Sequence, residues 1–453
     1  MNRSIFINDV TKEILNQSAA LFLGAGVSMG SGFSDWKTLM SDICLELELD
    51  IKKENDMISI AQYYQNRIRN RHKLNQKIID EFDSKAQGSE LLSILCQLPI
   101  SSIWTTNYDK LIEKEYDNLN RILDVKIRQK DLAISKPNRE ATLFKIHGDI
   151  SEPDKAVITR DDYERFDVDK ALFVKYLTSE LVSKSFIFVG YSFNDPNFNQ
   201  ILSKIRIELL ENKRNHYYIV KKETDCYEKI RQKLKIDDLL EYGIQTLEID
   251  NYDELVDIFK EIRHNVYKKS VFISGSAAEY VNSIGEPETK QLITNLTKNL
   301  ILNDYTVVNG HGLGVGEYVV RGIVNGLADK SNVPNNPYVI KVFPQSIAKE
   351  KTKKELWTAL RENLISQCRT AVFLLGNKNV KGEILLANGM IEEFEIALKY
   401  RLNIILLSET GYQTKVLADQ QTSECYENVT VIDLKEPDII VRNVIDLIKK
   451  STN

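Results

Sequence analysis

Short, unbroken apolar runs alternate with longer amphipathic stretches along most of the chain. In the first half these runs predict strands at Ala19–Leu23, Ile103–Thr106, Thr142–Ile146, Phe186–Val189, His216–Val220 and Thr246–Ile249. In the second half they predict strands at Val271–Ser274, Thr306–Val308, Tyr338–Phe343, Ala371–Leu375, Ile404–Leu407 and Val429–Ile432. Runs such as Ile404-Ile405-Leu406-Leu407 show no polar alternation, which suits parallel strands covered on both faces. The segments between them carry helical spacing, as with Leu292, Ile293, Leu296 and Leu300 after Pro287. Strand–helix alternation of this kind predicts an α/β protein with parallel, Rossmann-like sheets. The rhythm is interrupted from about Ile43 to Leu98, where the spacing is helical throughout and predicts a helical insertion. It restarts after a helix bearing Leu255, Ile258, Phe259 and Ile262, where Lys268-Lys269 precede a new strand and a glycine turn. Two domains are expected, residues 1–267 and 268–453.

Composition narrows the function without choosing it. The 60 basic and 65 acidic residues leave a net charge of −5, which offers no general attraction to nucleic acid or an anionic membrane. The five cysteines (Cys44, Cys96, Cys226, Cys368 and Cys425) are scattered and show no CxxC spacing, so reduced thiols and no metal site are expected. The longest apolar runs are strand-sized and the N-terminus has no secretory core, so a cytoplasmic protein is expected.

The chemistry gathers at the ends of the predicted strands. The first strand runs into Leu23-Gly24-Ala25-Gly26-Val27-Ser28, a glycine turn that lets backbone approach a pyrophosphate. Three more strand ends follow: Thr105-Thr106-Asn107-Tyr108-Asp109, Lys145-Ile146-His147-Gly148-Asp149 and Gly190-Tyr191-Ser192-Phe193-Asn194-Asp195. In an open parallel sheet such ends converge on one crevice. A carboxamide can both donate and accept toward ribose hydroxyls or water, and an imidazole can take a proton near neutral pH.

These four segments, in this order and spacing, resemble the SIR2 (sirtuin-like) family over roughly Asn8 to Glu261. The resemblance implies an NAD⁺ site in which Gly24, Ala25, Gly26 and Ser28 cradle the pyrophosphate. Asn107 and Asp109 would hold the nicotinamide ribose, His147 would be the general base, and Gly190 and Ser192 would face the adenosine. The family's protein deacylases carry a four-cysteine zinc module that this chain lacks between His147 and Gly190. No zinc is therefore expected, and water becomes the expected acceptor, making the reaction NAD⁺ hydrolysis to nicotinamide and ADP-ribose.

The second half carries a strand-end turn at Ser274-Gly275-Ser276 and a glycine-rich loop, Asn309-Gly310-His311-Gly312-Leu313-Gly314-Val315-Gly316. It resembles the SLOG superfamily over about Ser270 to Ser451. The hydrolases of that superfamily carry a PGG-x-GT-x-x-E motif where this chain has Ala387-Asn388-Gly389-Met390-Ile391-Glu392-Glu393. The missing proline and paired glycines favour a sensor over a hydrolase. A SIR2 domain followed by a SLOG domain resembles the NAD⁺-degrading effectors of Thoeris antiphage defence. That resemblance implies activation by a cyclic ADP-ribose isomer made by a partner TIR-domain protein, and a homo-oligomer, tetrameric or larger. It places Gly275, Ser276, Leu313, Phe343, Arg361, Lys378, Gly389 and Glu393 in the signal pocket. Arg361 and Lys378 would meet phosphate oxygens and Glu393 ribose hydroxyls. Two other readings stay open at this stage: an NAD⁺-dependent deacylase or ADP-ribosyl transferase, and a non-catalytic nucleotide sensor.

Overall fold

A computed structural model describes residues 1–29, 36–82, 88–331, 337–344, 350–424 and 426–452. Cys425 lies outside the described residues. The chain divides into two compact units, Met1–Arg263 and His264–Asn453.

The first unit is built on strands β1 (Ala19–Leu23), β2 (Ser102–Thr105), β3 (Leu123–Lys126), β4 (Ala141–Lys145), β5 (Ser185–Val189), β6 (His216–Lys221) and β7 (Ile244–Ile249). They form one sheet in the order β3-β4-β2-β1-β5-β6-β7, with every pair parallel. Every residue of β1 and β5 is buried, as the absence of polar alternation requires. The chain leaves β1 toward β2 and leaves β5 toward β6, in opposite directions from two adjacent strands. That divergence opens a crevice at their carboxyl ends. Strand β3, with sequence Leu-Asp-Val-Lys, alternates apolar and charged positions and was not expected from continuous apolar runs. The expected helical insertion is present, with helices Ser41–Glu46, Met57–Ile68, His72–Phe82 and Glu90–Gln97 between β1 and β2.

The second unit contains β8 (Ser270–Ser276), β9 (Thr306–Asn309), β10 (Tyr338–Ile340), β11 (Thr370–Leu375), β14 (Asn403–Leu407) and β15 (Val429–Ile432), in the order β10-β9-β8-β11-β14-β15. All pairs are again parallel. Here the direction of winding reverses between β8 and β11. A short antiparallel hairpin, β12 (Asn377–Val380) with β13 (Glu383–Leu386), was not expected and projects directly after β11. The strand expected to reach Phe343 ends at Ile340, and Phe343 stands beyond it. Helix Glu286–Leu302 opens with Pro287 in its first turn, where a missing N–H costs nothing. No helix among the described residues is long and apolar enough to cross a membrane.

His216 illustrates a polar residue that the sheet has absorbed. Its Nδ1 accepts the N–H of Phe186 at 3.1 Å, and burial, followed by the nearby Arg214 charge, lowers its pKa to about 4. The unfolded chain binds a proton here near pH 6.5 and the folded chain does not until about pH 4. Stability from the neutral imidazole is therefore complete above pH 6.5 and is lost progressively as pH falls toward 4, by about 3 kcal/mol in all. Urea denaturation across this window should show a shallower decline for His216→Gln than for the native chain. Equal declines would remove His216 from the account.

Candidate active site and candidate nucleotide pocket

In the first unit the site is set by the sheet register. Thr105 on β2 pairs with Lys145 on β4, and Asn107 and His147 each lie two residues beyond that pair. The two groups therefore emerge at the same edge of adjacent strands. The loop after β2 is pinned from several sides. Thr105 Oγ1 accepts the N–H of Asn107 at 3.0 Å and donates to Leu23 O at 2.8 Å. Asn107 Nδ2 donates to Gly24 O at 3.1 Å and to Ser28 Oγ at 2.9 Å. Ser28 Oγ in turn donates to Asp109 Oδ2 at 2.8 Å. A hydroxyl has one proton, and Ser28 gives it to a carboxylate, so it can only accept from Asn107. This fixes the carboxamide with Nδ2 inward. Its Oδ1 has no hydrogen bond among the described residues.

The glycines of this edge serve contact between backbones. A Cβ on Gly24 would lie 2.4 Å from Gly190 O, and one on Gly26 2.8 Å from Gly190 Cα. Gly190 sits at φ +65°, and a Cβ there would lie 2.6 Å from Val27 N. The N–H groups of Gly24 and Gly26 donate to Val189 O at 3.0 Å and Gly190 O at 2.9 Å. Within the expected pyrophosphate turn, the N–H of Ala25 has no partner among the described residues. Ser28, expected at the same phosphates, uses its hydroxyl to join Asn107 to Asp109. Asp109 is buried and also accepts the N–H of Leu111 at 3.0 Å through Oδ1. Ser192 is exposed, and its carbonyl accepts from Lys235 Nζ at 2.6 Å.

His147 is buried. The rings of Tyr163 and Phe166 stand nearly perpendicular to it at 5.6 and 5.8 Å. Its carbonyl accepts the N–H of Val157 at 2.8 Å, and Tyr108 Oη donates to Val157 O at 2.7 Å. The insertion braces this wall: Arg71 is paired with Asp162 at 2.8 Å, and Gln62 Nε2 donates to Asp161 at 2.9 Å. Nε2 of His147 lies 2.9 Å from Asp195 Oδ2 but is not aligned for a hydrogen bond, and it has no other partner. The buried Tyr191 hydroxyl is likewise unpartnered. Buried polar atoms without partners are uncommon, and two of them in one crevice leave places for a polar ligand. Behind the site, Lys145 is buried and donates to Asp149, to the carbonyls of Tyr108 and Asp109, and to Glu113 at 3.1 Å. Burial pushes the Asp149 carboxyl up, but Lys145 and Ser151 outweigh it and hold the pKa below the usual aspartate range. Sequence reasoning gave Lys145 and Asp195 no role, because each acts through neighbours from distant segments.

In the second unit, backbone again meets backbone at the expected glycines. A Cβ on Gly312 would lie 2.1 Å from Gly275 O, and one on Gly314 2.1 Å from Ala277 O. The glycine-rich loop therefore packs on the end of β8, and Gly310 makes room for the Phe343 ring. Ser276 Oγ donates to Asn377 O at 3.0 Å, while Asn377 Oδ1 accepts the N–H groups of Ala278 and Glu279. Four of the expected pocket residues meet directly. Arg361 Nη1 pairs with Glu392 at 2.6 Å and Nε with Glu393 at 3.3 Å. Its guanidinium carbon lies 5.2 Å from the Phe343 ring centre and 5.8 Å from that of Trp357. A Cβ on Gly389 would lie 2.5 Å from Arg361 Nη2, so only glycine leaves space for the guanidinium. Glu393 accepts from Ser274 Oγ at 2.6 Å, and burial raises its pKa more than Arg361 and Ser274 lower it. Lys378 stands on β12 with no partner among the described residues, and Leu313 is exposed. Arg361, expected at phosphate, and Glu393, expected at ribose, thus stand in direct contact with each other.

Among the described residues no cluster of histidine, cysteine and carboxylate side chains could hold a metal ion. Residues 101–246 match the SIR2-like domain model, and residues 254–447 match that of the Sir2- and TIR-associating SLOG family. The chain is 40% identical to NAD(+) hydrolase ThsA of Bacillus cereus over 431 residues, covering 93% of this chain and 90% of that protein. It is 39% identical to NAD(+) hydrolase ThsA of Acinetobacter baumannii, covering 93% and 91%. Defense-associated sirtuin 2 of Bacillus subtilis is 26% identical over 44% of this chain and 20% of that protein.

A Gly190→Ala substitution tests the crevice geometry. The positive φ and the overlap with Val27 should together cost about 2–5 kcal/mol, read as a lower urea midpoint. A midpoint equal to that of the native chain would mean that β1 and β5 do not meet there. With the motif order, the two domain matches and the near full-length identity in agreement, the chain belongs to the ThsA family of SIR2–SLOG NAD(+) hydrolases.

Proposed function

We propose that the N-terminal unit hydrolyses NAD⁺ to nicotinamide and ADP-ribose in antiphage defence, and that a cyclic ADP-ribose isomer bound by the C-terminal unit releases this activity. The observation that carries the first part is the placement of Asn107 and His147 two residues beyond one register pair, with neither Asn107 Oδ1 nor His147 Nε2 hydrogen-bonded among the described residues. In this reading the nicotinamide–ribose C1′–N bond breaks and a water oxygen bonds to C1′. Asn107 Oδ1 orients that water or the ribose hydroxyls, and the water proton passes to His147. The pyrophosphate lies over the β1 turn at Gly24, Ala25 and Gly26, Asp109 holds the loop beside the ribose, and Gly190 and Ser192 border the adenosine. Burial behind Tyr163 and Phe166 keeps bulk water from competing with the positioned molecule.

For the second part, Arg361 offers a planar fork suited to a phosphate, stacked on aromatic rings. An incoming phosphate would displace Glu392 or Glu393 from that fork, freeing carboxylate oxygens for ribose hydroxyls, with Lys378 on the neighbouring hairpin adding a second cation. Gly275, Ser276 and Leu313 supply the rim. A TIR-domain partner would make the signal, the working form is a homo-oligomer in the cytoplasm, and NAD⁺ depletion halts the phage.

Nicotinamide release by the full chain, measured with and without a panel of cyclic ADP-ribose isomers, tests both parts. Asn107→Ala and His147→Ala should each reduce turnover by at least ~100-fold with the fold intact. Retained turnover in either would sink the hydrolytic assignment. Arg361→Ala and Arg361→Lys should both fold and no longer respond to any isomer, since an ammonium cannot reproduce the fork. A normal response by Arg361→Ala would place the signal elsewhere.

A further inference from the structure

We propose that Asp195 is a positioning residue for nicotinamide–ribose cleavage, acting through His147; this rests on the hydrolytic reading above. Asp195 ends the Gly190–Asp195 loop and caps helix Pro196–Leu209. One carboxylate oxygen does all of the capping. Oδ1 accepts the N–H of Asn197 at 2.9 Å and of Phe198 at 3.2 Å. The other oxygen, Oδ2, faces His147 Nε2 at 2.9 Å. A serine, threonine or asparagine caps a helix as well as aspartate does, so the cap alone does not call for the second, charged oxygen.

The surroundings make that charge conspicuous. The His147 and Asp195 side chains are only 5% and 9% exposed. An ionised carboxylate buried this deeply needs a partner. Burial pushes its pKa up, yet His147 and the two cap N–H groups hold it below the usual aspartate range. The other titratable groups whose fields reach it or are reached by it are the phenols of Tyr108, Tyr163 and Tyr191. Among the described residues its single ion-pair partner is the imidazole.

The contact also has a distinctive place in the sheet. His147 follows β4 and Asp195 follows β5, and β2 and β1 lie between those strands. The pair therefore joins the two flanks of the edge that carries Asn107, Ser28 and the β1 glycines. Nε2 and Oδ2 are 2.9 Å apart but not aligned for a hydrogen bond, so Nε2 can still take a proton from a third group. When His147 takes a proton, the imidazolium forms beside a charge already in place, which lowers the cost of the step without reorganisation.

Asp195→Asn separates this role from capping, because it keeps the cap and the shape but removes the charge. Asp195→Ser does the same with a smaller group. Both are assayed as full-length chains for nicotinamide release, beside His147→Ala, under whichever condition above gives native turnover. For both variants kcat should fall at least ~10-fold, with KM for NAD⁺ within about twofold and the urea midpoint unchanged. Unchanged kcat, a change in KM alone, or a fall in kcat that tracks a lower midpoint in both variants would each overturn the proposal. Turnover by His147→Ala would instead overturn the hydrolytic reading itself. An inactive His147→Ala beside a fully active Asp195→Asn would reject only the role of Asp195.

Discussion

The parallel register of the two sheets is the constraint on which the rest of this molecule depends. In a parallel sheet every strand delivers its carboxyl end to the same edge, so side chains far apart in sequence meet without long excursions. Thr105 and Lys145 are forty residues apart yet paired, and the register alone brings Asn107 and His147 to one edge. The divergence of winding between β1 and β5 then opens that edge. Opening it brings two turns into contact at the backbone, and this is what Gly24, Gly26 and Gly190 permit. The N–H groups of Gly24 and Gly26 donate to the carbonyls of Val189 and Gly190 across the turn, so the floor of the crevice is tied together by its own backbone.

The second unit repeats the architecture and fills it differently. Gly376 N–H donates to Ser276 O at 3.0 Å between β11 and β8, as Gly24 N–H does to Val189 O between β1 and β5. What stands above that floor separates the two units chemically. The first presents an unpartnered imidazole nitrogen and a carboxamide oxygen, groups that can move a proton and orient a nucleophile. The second presents a guanidinium already engaged by two carboxylates and flanked by aromatic rings. A guanidinium so engaged can take an anion only in exchange for a resident carboxylate.

Much of this was legible in the sequence, for reasons particular residues make plain. Fully buried parallel strands leave continuous apolar runs, so β1, β5, β11 and β14 stood out. Strand β3 did not, because Asp124 and Lys126 break its apolar run; they pair with each other at 2.9 Å, and Asp124 also takes the N–H of Lys136 and faces Arg139. The hairpin β12–β13 did not, because its residues are largely exposed and the Ile384-Leu385-Leu386 run of β13 is short. Motif order brought Asn107 and His147 forward as site candidates. It could not reveal that Ser28 links Asn107 to Asp109, or that Asp195 reaches His147, since both contacts depend on strand order. The glycines were read as making room for a nucleotide, and the nearest atoms to their missing Cβ groups are those of neighbouring backbone.

In the activation proposed above, the state of Arg361 sets the terms on which the signal would act. Because Glu392 and Glu393 already neutralise the guanidinium, an incoming phosphate gains only the difference between its own contacts and those it displaces. A ligand can shift the balance between two states only by its difference in affinity for them. Ligands that merely bring negative charge therefore have little advantage over the resident carboxylates. One that also engages the released Glu392 or Glu393 through hydroxyls recovers what the exchange loses. On the activation proposed above, a cyclic ADP-ribose isomer with both phosphate and ribose groups would satisfy this condition, and inorganic phosphate would not. In that proposed reading the resident ion pairs would filter which anions can change the state of the pocket, independently of how tightly a simple anion is held.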